Sequence, residues 1–567
     1  MNSSRKFSYI FRKYSLIRAL FLFIIVAIAL IIMFIVGKKN KVIPVIDSIV
    51  PPVGSPGAIV VINGSNFGDT RDMSYVEFAG SKLTASSYIS WSDNCIKLVL
   101  PANVQDGLVV VGTRNSRSKP SLFSNEVDIP VPVPTVVQTT KPVISQISPA
   151  KVAVGDILTI TGNNFGDSRN QSEVLFTVDY DNQISNSDYV TKAMLTENMI
   201  AASDSYSEYE YWSNTEIKVR VPDGAYSGVV VVNIGKEKSE PFDVVINKTA
   251  GNKVLNSKKI YLIQYSTDIS DVATTDVSTI TLHCPIPVMT VSQPTVEITE
   301  VSPLPLIQNY QNCLIHQITK NRNNSPKSVF RQTFVLPVYE IKTTIVPDKI
   351  GSNKNMNQNK YNELIKPDAI IPSSNEKIIE LCEKIIGKEK NDYRKARLIY
   401  TYMIDNYKIL DKHRNESDSP LDLPEHKRGD AYDFAVICTA LFRAAKIPAL
   451  IDGGVLISQD LQTQAHWWCE FYIQNVGWIP VDVALGAGMQ YKDWSDISDA
   501  KTYYFGNLDA HRITFSRGWS QFKPFSYDNK IVQYPRTFAL QSIWEEASSN
   551  TAEYSSYWSL PVIKGVY

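Results

Sequence analysis

No charge of either sign predominates in this chain. Its 57 Lys and Arg balance 57 Asp and Glu, so the formal net charge is zero. Without a basic excess there is no electrostatic footprint for a nucleic-acid partner, and that class is set aside. Cysteine is scarce, six in 567 residues, and no C-x-x-C pair occurs. A disulfide-dense secreted scaffold and a zinc site are therefore not expected, and no motif asks for a metal or an organic cofactor. What is present is 44% hydrophobic residues with 30 Pro and 29 Tyr, the composition of globular domains built from short strands and turns. At roughly 100–200 residues per domain the length allows several domains, most of them β.

One long run lacks charge altogether. From Ala19 to Gly37 the chain reads ALFLFIIVAIALIIMFIVG, long enough as a helix at about 1.5 Å per residue to approach a ~30 Å hydrocarbon core. Arg5, Lys6, Arg12, Lys13 and Arg18 precede it, and Lys38, Lys39 and Lys41 follow. The heavier positive flank places residues 1–18 in the cytoplasm, 19–37 in the membrane and the bulk of the chain outside, at the cell surface. The apolar part of a cleaved signal peptide spans about 7–15 residues and ends in small ones. Here it ends in Met33-Phe34-Ile35-Val36, so an uncleaved single-pass anchor is expected.

Two segments repeat. Pro44-Val45-Ile46 through Pro51 aligns with Pro142-Val143-Ile144 through Pro149, and Gly64-Ser65-Asn66-Phe67-Gly68-Asp69 with Gly162-Asn163-Asn164-Phe165-Gly166-Asp167, both offset by 98. Further on, Trp91-Ser92 aligns with Trp212-Ser213 at an offset of 121, which predicts a 23-residue insertion in the second copy around Asp179 to Ser207. Runs such as Ile59–Ile62 and Ile157–Ile160 between Gly/Asn/Asp turns predict a β-sandwich in each copy. In the G-x-N-F-G turn, Gly and Asn tolerate positive φ while the Phe plugs the sandwich end. This pattern resembles the immunoglobulin-like IPT/TIG family over residues 44–133 and 142–247, which implies stalk or adhesion modules without naming a ligand. Between the copies, Pro130-Val131-Pro132-Val133-Pro134 predicts an extended spacer.

Alternating segments from Ile260 to Val346 predict a third β domain, residues 257–347. Cys284 and Cys313 both fall in it, and their spacing leaves open whether they pair. Past the Asn/Lys-rich stretch Gly351–Lys360 the apolar period turns helical: Ile378, Leu381, Cys382 and Ile385 mark one face, and Ala396, Ile399, Tyr400 and Met403 a second. A further helix is expected to start at Ala431, with Asp430 as N-cap and Pro448 closing the element. Gln464–Tyr472 and Val476–Asp482 predict two adjacent strands that set His466 beside Asp482.

Gly429–Ala435, Arg443–Ala449, His466–Glu470 and Gly477–Asp482 resemble the blocks of the transglutaminase-like, papain-type family: G-x-C-x-D-[FY]-A, R-x-x-G-I-P-A, H-x-W-x-E and G-W-x-P-x-D. The resemblance implies an α+β domain over residues 374–525, followed by an extension, 526–567. It also implies a Cys-His-Asp triad in which His466 and Asp482 fill two roles. The chain departs from the pattern at the third, where Ala431 stands in place of the nucleophilic Cys. Lys446 and Leu450 replace the usual Gly and Arg of the following loop.

A methyl group cannot attack a carbonyl. Family chemistry needs a thiolate, activated by a helix N-terminus and a neighbouring His whose tautomer the Asp fixes. Losing the nucleophile removes on the order of 10⁶ in the well-studied serine hydrolase case. Cys438, two turns along the same helix, and Cys469, on the opposite strand face from His466, are not replacements. Asp430 is better suited to N-capping than to attack. Trp467, Trp468, Trp478 and Trp494 are either core or groove wall, and Asp430, Trp467, Trp468 and Trp478 are the candidate groove residues. The expected protein is a membrane-anchored, multidomain surface molecule whose head binds peptide, protein or cell-wall ligands without catalysis. The alternative is an active cysteine protease or acyl transferase using an unrecognised nucleophile.

Overall fold

The computed structural model describes Phe23 and residues 42–55, 57–101, 107–114, 116–125, 141–203, 206–320, 328–350, 353, 356–415, 417–491, 497–519 and 529–567. Apart from Phe23, the apolar run 19–37 lies outside the described residues, as do the Pro130–Pro134 spacer and Trp494. Among the described residues no helix is long and apolar enough to cross a membrane.

The first sandwich is a compact unit by itself. It sets a four-stranded sheet, Val45–Val50, Ile59–Ser65, Cys95–Val99 and Tyr88–Trp91, with a second sheet built around Gly107–Gly112 and Tyr75–Phe78. The repeated turn behaves as its residues dictate. Asn66 and Gly68 take positive φ of 64° and 93°, and Phe67 is buried in the core. The indole of Trp91 donates to the Phe67 carbonyl at 3.2 Å.

The second sandwich, in the other unit, repeats each device: Asn164 and Gly166 at 65° and 82°, Phe165 buried, and Trp212 donating to the Phe165 carbonyl at 2.9 Å. The motif's first glycine is required for space. A Cβ on Gly162 would lie 1.9 Å from the Val143 carbonyl oxygen, and one on Gly64 the same distance from that of Val45. The insertion falls between Glu173–Thr177 and Tyr209–Trp212, where Thr191 caps a short helix, Lys192–Glu197.

That insertion fastens the second sandwich to the rest of its unit. Tyr180 stacks on Tyr339 with ring centroids 4.2 Å apart and donates to the Val291 carbonyl at 2.9 Å. Tyr206 lies 5.6 Å from the Trp478 ring, and its hydroxyl hydrogen-bonds to Arg517. Beside the insertion, Lys253 donates to both oxygens of Asp223, at 2.6 and 2.7 Å, and to the Trp478 carbonyl at 2.7 Å.

The third β region is larger than residues 257–347. Its central strand, Gly251–Thr274, pairs along its length with Ser328–Ile345, and also with Thr551–Trp558 and Val562–Val566 near the end of the chain. Ser278–Pro285 pairs with Trp544–Ala547. Of the segment expected to be an extension, 526–567, the described residues 529–567 therefore complete the two sheets of this region, because their alternating residues supply the strands those sheets lack. Cys284 and Cys313 lie on paired strands, and both thiols are free. One continuous core runs from Tyr261 and Phe334 through Phe434 and Phe471 to Phe538, so the third β region and the α+β head are not separate cores.

In the head, Glu376–Ile386, Asp392–Asn406 and Ala431–Ala444 pack as helices against a four-stranded antiparallel sheet. Its order is Gly477–Val481, Thr463–Ile473, Ala449–Ile457, Arg512–Arg517. Ala431–Ala444 is almost wholly apolar and is buried along nearly its whole length, so it forms the centre of the layer.

Candidate functional site

The central helix begins at Ala431 because Asp430 stops the backbone in extended geometry and turns its carboxylate inward. Asp430 accepts from the Asp433 amide at 3.0 Å, and Asp433 returns the bond to the Asp430 amide at 3.1 Å, a reciprocal cap. Two distant arginines neutralise the pair. Arg536 reaches Asp430 at 3.0 Å and Asp433 at 2.6 Å, while Arg414 donates its amide to Asp430 at 2.7 Å and its guanidinium to Asp433 at 2.8 Å. Burial, and then the charge of Asp430, push the Asp433 carboxyl above its ordinary range, with Arg536 working against that rise. Each oxygen of Asp430 is already bonded, so this carboxylate holds the helix end and is not poised to attack.

His466 stands on the strand Thr463–Ile473, and Asp482 follows the neighbouring strand Gly477–Val481 as N-cap of the turn Val483–Gly486. The sheet brings them together, with His466 Nε2 2.7 Å from Asp482 Oδ2 and both side chains wholly buried. Asp482 also accepts from the Leu485 amide at 3.0 Å and from Arg512 at 2.8 Å. Burial opposes its ionisation, but His466 and Arg512 outweigh that and hold its carboxyl below the usual range. Arg512 continues the chain of charges to Asp509 at 2.8 Å and lies 5.0 Å from the centre of the Trp468 ring. Asp482 thus fixes His466 through Nε2. His466 Nδ1 is buried and has no hydrogen-bond partner among the described residues, which leaves the nitrogen a base would use unengaged by them.

Ala431 is itself wholly buried, and the three thiols of the head lie elsewhere. Cys382 donates to the Leu441 carbonyl at 3.5 Å and Cys469 to the Val481 carbonyl at 3.6 Å, while Cys438 is buried on the central helix. Burial, reinforced by Cys438, raises the Cys469 thiol well above its ordinary range, which suppresses the thiolate.

The four groove candidates are packed inside, not displayed. Asp430 and Trp467 are each 1% exposed, Trp468 2% and Trp478 3%. Trp467 donates to the Thr537 carbonyl at 2.9 Å and meets the rings of Tyr432 and His413 edge-on. Trp468 lies between Arg512 and His466. Trp478 joins Leu364, Leu450 and Tyr472, with Tyr206 of the insertion packed against them.

Sequence reading passed over Arg414 and Arg536, which neutralise the helix cap, and over Asp509 as the far anchor of Arg512. Arg536 is 106 residues from Asp430, and no local pattern marks such a pairing.

The chain contains a transglutaminase-like domain and two IPT/TIG domains. Residues 379–483 match the transglutaminase-like superfamily, and residues 44–125 and 142–244 match the IPT/TIG domain. An uncharacterized protein of Haemophilus influenzae is 26% identical over 181 residues, which cover 27% of this chain and 47% of that protein. A cyclomaltodextrin glucanotransferase of Paenibacillus macerans is 32% identical over 120 residues, 21% of this chain and 16% of the enzyme. The chain therefore spans less than half the length of either relative. Among solved structures, a "Putative Cysteine Protease" from Cytophaga hutchinsonii aligns over 55% of this chain and 93% of its own, at 13% identity and a TM-score of 0.36.

Proposed function

We propose that this protein is a membrane-anchored surface molecule whose transglutaminase-like head has lost its catalytic thiol and serves as a binding module on an IPT/TIG stalk. The observation that carries the reading is Ala431 at the start of a capped, buried helix in a domain whose remaining thiols are packed at other places. His466 and Asp482 are the remnant of the triad, and the anchor is the apolar run 19–37. Peptide, protein and cell-wall polymers are the ligand classes that suit a surface head of this kind.

The test restores the thiol. Ala431→Cys should gain measurable amide hydrolysis, lost again on His466→Ala. The parent should show neither hydrolysis nor acyl-enzyme trapping by electrophilic peptide analogues. In the parent, five of the six cysteines are buried and only Cys95 is partly accessible, so at most one thiol should react before denaturation. Trapping of the parent at a residue beside His466 would overturn the reading. An active enzyme is the second reading, favoured by the intact His466–Asp482 pair with its Nδ1 unengaged by the described residues. Hydrolysis by the parent that vanishes with His466→Ala would establish it. Membrane fractionation with and without residues 1–37 tests the anchor.

A further inference from the structure

His466 and the tryptophans beside it are buried, and an open cleft of about 890 Å³ lies elsewhere on the same head. Its volume falls in the range of small-molecule sites, roughly 300–1,000 Å³. Its walls come from the third β region and from the head, and they include Tyr503, Tyr504, Asn507 and Asp509.

Among the described residues of the wall, the charged side chains already have partners within the protein. Glu340 accepts from Tyr503 at 2.7 Å and from Ser257 at 3.1 Å, and it pairs with Lys342 at 3.0 Å. Asp509 is bound by Arg512 at 2.8 Å, by the Tyr504 hydroxyl at 3.1 Å and by the His511 amide at 2.9 Å. Asp499 caps the turn Ala500–Tyr503. Burial lowers His511 to about 4, so its imidazole is neutral at pH 7. Lys259 is engaged within the protein as well. Against the described residues of this wall a charged ligand would meet charges already engaged and would lose hydration with little return.

What the described wall does present is the exposed Gln490, Ser498 and Thr502 beside the half-buried rings of Tyr491 and Tyr503, the mixed face that suits a ring apolar on one side and hydroxylated at its edge. An added peptide strand is disfavoured too. Lys259, Glu340 and Lys342 stand on two strands that pair with each other, which leaves no gap between them for a third.

We propose that this cleft is a ligand site of the head and takes an uncharged, hydroxyl-rich chain, a neutral oligosaccharide. The inference rests on the reading of the head as a binding module and relocates its site away from His466. The test titrates the full-length protein by calorimetry with maltohexaose, cellohexaose, xylohexaose and chitohexaose, with oligogalacturonate as charged comparison. At least one neutral sugar should bind. Thr502→Trp, which fills the cleft from an exposed position, should weaken that binding at least tenfold, and Tyr503→Ala should do the same with an unchanged far-UV spectrum. Binding of none of the four, binding of the charged sugar alone, or binding indifferent to both substitutions would overturn the proposal. Acyl trapping of the parent would instead remove the non-catalytic reading and leave these titrations untouched.

Discussion

Arg512 is the hinge of the buried charge network, and replacing it with Met tests whether that network holds the head together. The guanidinium donates 2.8 Å bonds to Asp482 and to Asp509 and is 3% exposed. Met keeps much of the volume and removes the charge, so two buried carboxylates keep His466, Tyr504 and the Leu485 and His511 amides as partners but lose their shared cation. Breaking a buried pair from one side costs about 3–5 kcal/mol, because the charge left behind has no water to return to. The lost contact with the Trp468 ring adds roughly 1 kcal/mol. The melting temperature of the unit should fall on the order of 10 °C.

The pH dependence should change sign as well. In the parent, Asp509 is held at about 2 against an ordinary 3.8, chiefly by Arg512, which outweighs the opposing effect of burial. It contributes roughly 2 kcal/mol that is fully present above pH ~4 and lost as the pH falls through ~2. Without Arg512, burial raises the carboxylates instead, so the variant is most stable in acid and loses stability as the pH rises from ~4 towards neutrality. Urea unfolding followed by tryptophan fluorescence at pH 5 and pH 8 measures both effects. A loss under about 1 kcal/mol, equal at the two pH values, would refute the reasoning.

Two other outcomes follow from the same kind of accounting. Gly162→Ala drives a Cβ into the Val143 carbonyl and should destabilise the second sandwich by roughly 2 kcal/mol or more on thermal melting, whereas a melt within 1 °C of the parent would show that the turn relaxes freely. Glu208, beside the insertion, is raised to about 8 by burial, so its neutral form favours the folded state. Stability should fall between pH ~4.5 and ~8 by on the order of 5 kcal/mol and then level off. Glu208→Gln should flatten that slope in urea titrations, and an unchanged slope counts against the assignment.

Local chemistry made much of this architecture legible. The G-x-N-F-G turns, the helix start at Ala431 and the two strands that bring His466 to Asp482 each depend on residues a few positions apart, where φ preferences, capping and alternation act directly. Offsets of 98 and 121 placed the insertion, but not its role, since the partners of Tyr180 and Tyr206 are far away in the chain. The same limit hid Arg536 and the return of the last strands. Long-range pairing depends on which surfaces meet, and alternation in Thr551–Trp558 is equally compatible with an independent hairpin. The tryptophans illustrate a subtler ambiguity: a ring beside a triad position reads the same whether it walls a groove or fills a core, and only burial separates the two.

The return of residues 551–566 to the strand Gly251–Thr274 sets an order on the making of this molecule. While the ribosome is still producing the head, Gly251–Thr274 has emerged without two of its eventual neighbours, and its exposed edge must wait nearly three hundred residues for them. A nonsense codon past residue 520 would therefore do more than trim a tail. It would release a product with an open sheet edge, which quality-control proteases and sticky encounters with sister chains would find first.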